Sequence, residues 1–242
     1  MRNILAVCAK ELYTYFVSPI AYFVCFVFTA ILGFLFSLVL IGTSAQDGGT
    51  GAIVMETIFG QMAIILLFFT PVLTMKLFAE ERKTGTIELL LTSPVTDGQV
   101  VLGKFLASWT LVLIMFGLTL LFPFLTQRFG YLDSGLLLSG YLGAILIASS
   151  FLALGLLMSS MCKNQLVAAL TSFGILITLW VIGALSSRGG TIMNFLSYLS
   201  FSEHYYDFTR GVVLLRDVIY HISFTAICLF ATFKSIESSK WR

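Results

Sequence analysis

Six stretches of this chain contain no Asp, Glu, Lys or Arg: residues 12–46, 57–75, 105–127, 134–162, 164–187 and 218–233. A hydrocarbon layer about 30 Å thick is crossed by roughly 20 apolar residues in a helix, because each unpaired backbone group there costs several kcal/mol. Five of the runs meet that requirement. The sixth, 218–233, is short and carries His221, so it spans only if tilted or extended past Asp217 by snorkelling. The runs take up more than half of the 242 residues, and the mean hydropathy is +0.99. Too little polar sequence remains for a separate globular catalytic domain. The expected fold is a single all-α membrane domain over 1–242, with six transmembrane helices at 19–41, 57–77, 105–127, 135–161, 165–185 and 217–234.

Charge sets the expected orientation. With both termini in the cytoplasm, Arg2, Lys10, Lys76, Arg82, Lys83, Lys104, Lys163, Lys234, Lys240 and Arg242 lie inside, and only Arg128, Arg188, Arg210 and Arg216 lie outside. The positive-inside bias favours this arrangement. The first apolar run is too long for a secretory signal and lacks an A-x-A cleavage site, so it reads as a mature anchor. Cys8, Cys25, Cys162 and Cys228 form no C-x-x-C pair and suggest neither a disulfide framework nor a zinc site. A formal net charge of +2 is too small to imply a nucleic-acid partner.

Residues 1–17 place Met1, Ile4, Leu5, Cys8, Leu12, Tyr15 and Phe16 on one third of a helical wheel, as in an amphipathic interfacial helix ended before Pro19. A cytoplasmic extension of the first span is the plainer alternative. The longest inward segment, Lys76 to Lys104, holds an apolar knot of Ile87, Leu89, Leu90 and Leu91 between Glu88 and Ser93-Pro94. Pro94 stops any helix begun near Gly85. Thr96 and Gln99 then match a capping box opening the next helix. A short helix with an apolar tip suits a partner's groove, or lies flat on the bilayer. Gly98, Gly103 and Lys104 satisfy G-x-x-x-x-G-K, but Phe105 replaces the Ser/Thr and no strand precedes it. A P-loop is therefore rejected.

Residues 186–217 form the longest outward stretch. Its aromatics mix with Glu203, His204, Asp207 and Arg210, which suits one or two short interfacial helices. Gly211 permits a bend, and Val212 to Leu215 allow a re-entrant hairpin before the last span. Glu203, His204 and Asp207 lack a fourth ligand or a nucleophile, so structural or gating roles are favoured over metal or acid-base chemistry. No Asp, Glu, Lys or Arg is embedded in the spans, which disfavours ion coupling. His221 is the only titratable candidate there. Gly135, Ser139 and Gly143, with Gly140, Ala144 and Ala148, predict close packing along the fourth span. Pro71 and Pro123 are expected to kink the second and third.

The layout and the text FAEERKTGTIELLLTSPVTDGQVVLGKFL, Phe78 to Leu106, resemble membrane subunits of the ABC transporter type-2 permease family. Glu81, Lys83, Gly85, Thr86, Glu88 and Pro94 fill its E-x-R/K-x-G-T-x-E-x-L-L-x-x-P pattern. FSEHYYDFTRGVVLLRDVIY, Phe201 to Tyr220, is similar to the segment before the final span in the gliding-motility branch, and copper-enzyme maturation permeases are close in style. The resemblance implies an elbow helix at 1–18, a cytoplasmic coupling segment at 78–104 and an extracytoplasmic segment at 186–216, in a bacterial cytoplasmic (inner) membrane. It implies cytoplasmic ABC ATPase subunits that bind ATP and Mg, a second permease subunit making a homo- or heterodimer, and an extracytoplasmic accessory subunit. Glu80, Glu81, Arg82, Lys83, Gly85, Thr86, Glu88, Leu89, Leu90, Leu91 and Pro94 would then contact the ATPase, with the knot in its groove. Phe201, Glu203, His204, Asp207, Arg210 and Gly211 would form an outer gate or accessory contact. No catalytic, cofactor or metal ligand is expected in the chain itself. A nontransporting scaffold for motility or secretion uses the same spans, and an intramembrane enzyme would need a convergent set these runs do not supply.

Overall fold

The computed structural model describes residues 2–44, 50–85, 96–128, 132–183 and 198–239. Among them the regular structure is all helical: α1 (Arg2–Val17), α2 (Pro19–Ser44), α3 (Thr50–Thr74), α4 (Lys76–Thr84), α5 (Asp97–Thr119), α6 (Leu121–Thr126), α7 (Ser134–Met161), α8 (Gln165–Val181), α9 (Phe201–Thr209) and α10 (Leu215–Ser239). Five segments are long and apolar enough to cross a membrane: Pro19–Gly42, Gly51–Thr84, Asp97–Thr126, Ser134–Met161 and Leu215–Ser238. The expected spans at 57–77 and 105–127 thus belong to longer segments, in which α4 continues α3 and α6 continues α5. Pro71 lies inside α3, and the chain turns at Met75, whose N–H donates to Pro71 O at 2.9 Å.

The last span, expected to be the shortest, is a full-length helix because Asp217 and His221 point inward and find partners in the bundle. Within the described part of the apolar run 164–187, α8 has 17 residues, about 25 Å at 1.5 Å per residue. Side chains from the α9 approach meet its end, where Ser202 Oγ donates to Trp180 O at 2.9 Å.

Helix α7 is the hub, touching α3, α4, α5, α8, α9 and α10. Its small residues explain how so many helices reach it. A Cβ on Gly140 would overlap the Phe59 ring of α3, one on Gly155 would overlap Thr74, and one on Gly143 would lie 2.5 Å from Phe208 Cβ of α9. Around α7 the core is Phe28, Phe59, Phe78, Phe151, Phe201 and Phe208 with aliphatic neighbours. Many large apolar side chains point outward, including Phe23, Phe26, Phe34, Leu170 and Phe230, as a chain solvated by lipid requires. Helix α1 is separate from α2, with Pro19 opening α2 where its missing N–H costs nothing. Its Val7 and Ile4 abut Gly103 of α5, and Tyr15 Oη donates to Leu73 O at 2.9 Å. Leu5, Tyr13 and Phe16 stay exposed. α1, α4 and the start of α5 meet at one end of the bundle, the basal end, and α9 lies at the other, the apical end.

Candidate functional site

Polar side chains concentrate at the two ends of the bundle. The basal cluster begins with the start of α5, where Thr96 and Gln99 make the reciprocal capping box that their spacing predicts. Thr96 N–H donates to Gln99 Oε1 at 3.3 Å, and Asn3 Nδ2 of α1 donates to the same oxygen at 3.3 Å. Further along α5, the Lys104 side chain is 1% exposed. Its Nζ donates to Glu11 Oε1 of α1 and to Glu81 Oε1 of α4, both at 2.8 Å, and lies 5.1 Å from the centre of the Phe78 ring. One ammonium therefore ties three helices. Ions withdrawn from water cost several kcal/mol each unless they are paired with good geometry, so these helices are held in one arrangement as long as all three charges persist.

This also disposes of the G-x-x-x-x-G-K match physically. Lys104 is committed to two carboxylates, Gly98 and Gly103 lie within α5, and a Cβ on Gly103 would be 2.7 Å from Val7. The second glycine serves the crossing of α1 over α5.

A second device holds the join between α3 and α4. Ser159 of α7 accepts the N–H groups of Phe78 and Ala79 at 3.1 Å each and donates to Met75 O at 3.1 Å. One hydroxyl thus replaces ladder bonds disturbed by the turn after Pro71. Helix α4 ends at Gly85, whose φ of 74° is the left-handed conformation that glycine adopts most cheaply. Of the expected coupling residues, Glu81 joins the ion cluster, Arg82 is half-buried, and Glu80 and Lys83 are exposed just before Gly85. Thr86, Glu88, Leu89, Leu90, Leu91 and Pro94 lie outside the described residues.

At the apical end, α9 closes with a Schellman motif: Gly211 N–H donates to Phe208 O at 3.3 Å and Val212 N–H to Asp207 O at 3.0 Å. Gly211 has φ 88°, which turns the chain back toward α10. The turn brings His204 against α10. His204 Nδ1 lies 2.6 Å from Asp217 Oδ1 and Nε2 lies 2.9 Å from Tyr198 O, while its ring stacks on Tyr220 at 4.0 Å. Both ring nitrogens are thus engaged, Nδ1 with the Asp217 carboxyl group and Nε2 with a backbone carbonyl, which fixes the ring between α9 and α10. Arg216 Nε adds a bond to Asp217 Oδ1 at 3.0 Å. Phe201 is fully buried among Phe151, Phe224 and His221. Arg210 reaches across to Glu56 Oε1 at 3.1 Å and lies over the Tyr206 ring, whose hydroxyl it also bonds. Glu203 is exposed, and Asp207 is 3.9 Å from Arg216 Nη2.

The pattern at both ends is that residues adjacent in sequence separate into packing and surface roles. Phe201 and His204 anchor α9, whereas Glu203, Asp207 and Arg210 form its rim. The roles of Glu11 and Ser159, and the pairing of Asp217 with His204, escaped the sequence reading. Glu11 and Lys104 are 93 positions apart, and their only shared sign is the small Gly103 beside Lys104. Among the described residues, no group of three or more His, Cys, Asp or Glu side chains is placed to hold a metal.

Comparison with known proteins is consistent with this layout. A family model described as ABC-2 family transporter protein matches residues 21–231. The chain is also 24% identical over 190 residues to proteins named probable multidrug ABC transporter permease YbhR in Escherichia coli K12 and in Escherichia coli O157:H7. Each alignment covers 75% of this chain and 50% of the relative, so the chain spans about half the length of the curated relatives it matches.

Proposed function

This chain belongs to the ABC-2 transporter family, and from that premise we propose that it is the membrane permease subunit of an ATP-driven exporter. ATP and Mg are bound by separate cytoplasmic ABC ATPase subunits, and a second permease subunit completes the membrane path. Both termini and the basal end face the cytoplasm. Six crossings result, with α8 as the short one, and α1 serves as an elbow helix at the inner surface.

The observation that carries this reading is the Lys104 cluster. The segment after Gly85, where an ATPase would press, is joined through α4 to Glu81, and Lys104 links Glu81 to α5 and to Glu11 of α1. Displacement of α4 therefore strains α1 and α5 together, which gives nucleotide-driven motion a defined route into the membrane. A shift between two states requires contacts that differ between them, and a buried ion cluster supplies steep differences over small distances. That the Escherichia coli relatives are named as probable multidrug permeases supports transport over a static scaffold. A motility role and an extracytoplasmic accessory subunit on the α9 rim extend the same reading.

Co-purification with its ATPase and reconstitution in lipid vesicles tests the proposal. ATP turnover is expected to require the ATPase subunit and to depend on the permease, with the neutral variant Glu11→Gln/Glu81→Gln/Lys104→Met folding but losing that dependence. ATP hydrolysis by the isolated chain, or turnover indifferent to its presence, would overturn it.

A further inference from the structure

Side-chain bonds divide the bundle into two parts. Helices α3, α4, α7, α9 and α10 are joined from end to end. Basally, Ser159 of α7 holds the α3–α4 join, and at mid-depth Ser150 Oγ of α7 meets His221 Nδ1 of α10 at 3.1 Å. Apically, Ser139 Oγ of α7 donates to Phe208 O of α9 at 2.9 Å, and Tyr205 Oη of α9 donates to Phe59 O of α3 at 2.9 Å. His204 adds the bond from α9 to Asp217 of α10. Helices α1 and α5 form the second part. Val7 and Ile4 of α1 sit against Gly103, and Asn3 bonds Gln99. Interlocked in this way, α1 and α5 shift together.

Between the two parts the packing is interrupted. A cleft of about 390 Å³ separates Phe105, Leu106 and Trp109 of α5 from Ser149 of α7 and from Thr225 and Leu229 of α10. Atoms facing a gap forfeit the dispersion contacts that lock close-packed helices. Of the lining residues on α5, Trp109 is the one that bonds to another helix, its Nε1 donating to Ser149 Oγ at 2.9 Å. The ends are tied differently. Apically, Thr119 Oγ1 lies 3.2 Å from Tyr141 Oη of α7, and the buried Thr126 of α6 lies against Met55 of α3. Basally, Tyr15 Oη keeps the end of α1 on Leu73 O of α3, and Lys104 reaches Glu81 of α4.

We propose that α1 and α5 swing as one piece against the block of α3, α7 and α10, narrowing and widening the cleft between them. The Thr119–Tyr141 and Tyr15–Leu73 contacts are its two hinge points. The Lys104 to Glu81 ion pair sets the resting position, and the Trp109 to Ser149 bond limits the swing. Ile222 on the rim of the cleft is 56% exposed, so acyl chains fill the space that widening opens and no empty cavity has to be made. Movement of this kind displaces a helix by about 1–2 Å. The division into two parts is a property of the chain and does not require transport. That the swing carries a partner's push into the membrane rests on the permease reading above.

Nitroxide pairs on the full chain in lipid nanodiscs test the division. Leu102 on α5 with Phe230 on α10 spans the boundary, Met161 on α7 with Phe230 lies within the block, and all three side chains are exposed. Adding Ser149→Ala to Glu11→Gln/Glu81→Gln/Lys104→Met removes both ties. The 102–230 distance distribution is then expected to broaden by roughly 1–2 Å, and the 161–230 distribution to keep its width. Ser149→Ala alone gives the same contrast at smaller amplitude, should the combined variant unfold. Equal broadening of the two pairs, or of neither, would overturn the proposal. In vesicles with the ATPase, a short dithiol-reactive bridge between Leu106→Cys and Leu229→Cys of a cysteine-free chain closes the cleft. It should lower permease-dependent ATP turnover roughly fivefold, the low end of allosteric coupling, and reductant should restore it. The same bridge between Leu146→Cys and Ile222→Cys joins two helices of the block and should leave turnover unchanged. Equal effects of the two bridges would overturn the swing as the coupling route. An unbridged complex whose turnover ignores the permease would instead count against the permease reading, with the nitroxide result deciding the swing.

Discussion

Replacing Lys104 by methionine removes the cation from the basal cluster and keeps its volume. At 2.8 Å, each ion pair has about 6 kcal/mol of Coulomb attraction for an effective dielectric constant of about 20. Most of that offsets what the three ions lose on leaving water. Methionine cancels the attraction and leaves Glu11 and Glu81, which are 13% and 16% exposed, with like charges facing one another. Breaking a buried pair in this one-sided way costs about 3–5 kcal/mol. For a chain of this size that corresponds to a fall in Tm of roughly 6–20 °C. Neutralising all three residues, as Glu11→Gln/Glu81→Gln/Lys104→Met, removes the desolvation cost with the attraction and should return Tm to within a few degrees of the parent. Thermal unfolding in nanodiscs followed by tryptophan fluorescence reads both values. Spin labels at Lys10 and Lys83 report whether α1 and α4 separate in the single variant. A single variant as stable as the parent, or a triple variant as unstable as the single, would refute the assigned role of the cluster.

Other sites give independent outcomes. Ser159→Ala deletes the acceptor of the Phe78 and Ala79 N–H groups. It should lower stability by about 1–3 kcal/mol, the cost of leaving such donors unpaired, and hydrogen exchange should rise at those two amides and not along α10. Gly155→Ala presses a methyl on Thr74 and should cost about 1–3 kcal/mol, whereas Gly174→Ala, with nothing within 4 Å, should be neutral or slightly stabilising in the same melt. His204→Phe keeps the stack on Tyr220 but deletes the ring's bonds to Asp217 and to Tyr198 O. It should destabilise by about 1–3 kcal/mol, the cost of leaving a buried partner unpaired, and His204→Phe/Asp217→Leu should recover part of that loss.

Much of this architecture was legible in the sequence because lipid imposes a coarse rule. Charge-free runs found the apolar helices, the Thr96 and Gln99 spacing found the start of α5, and the small-residue ladder containing Gly140 and Gly143 found the side of α7 on which neighbours crowd. What stayed hidden depends on chain crossings. Lys104 looked like part of a nucleotide motif, and only the passage of α1 over Gly103 reveals it as the partner of Glu11. Asp217 and His221 made the last span look weak. Their burial against His204 and Ser150 is what lets the helix run at full length. Conversely, no local rule in the run 164–187 foretells Ser202 meeting Trp180 O. Phe201 and Glu203 illustrate the same limit on a smaller scale, since neighbouring positions on one short helix face the core and the surface.

The central claim is that the basal end of this permease receives the push of a nucleotide-driven partner. A single cysteine at Leu89 in an otherwise cysteine-free chain, assembled with its ATPase in vesicles, tests this by cross-linking. The account predicts a cross-link to the ATPase whose yield changes when ATP is trapped. Modification of that cysteine only by a reagent confined to the extracytoplasmic side, with no ATPase cross-link, would contradict it.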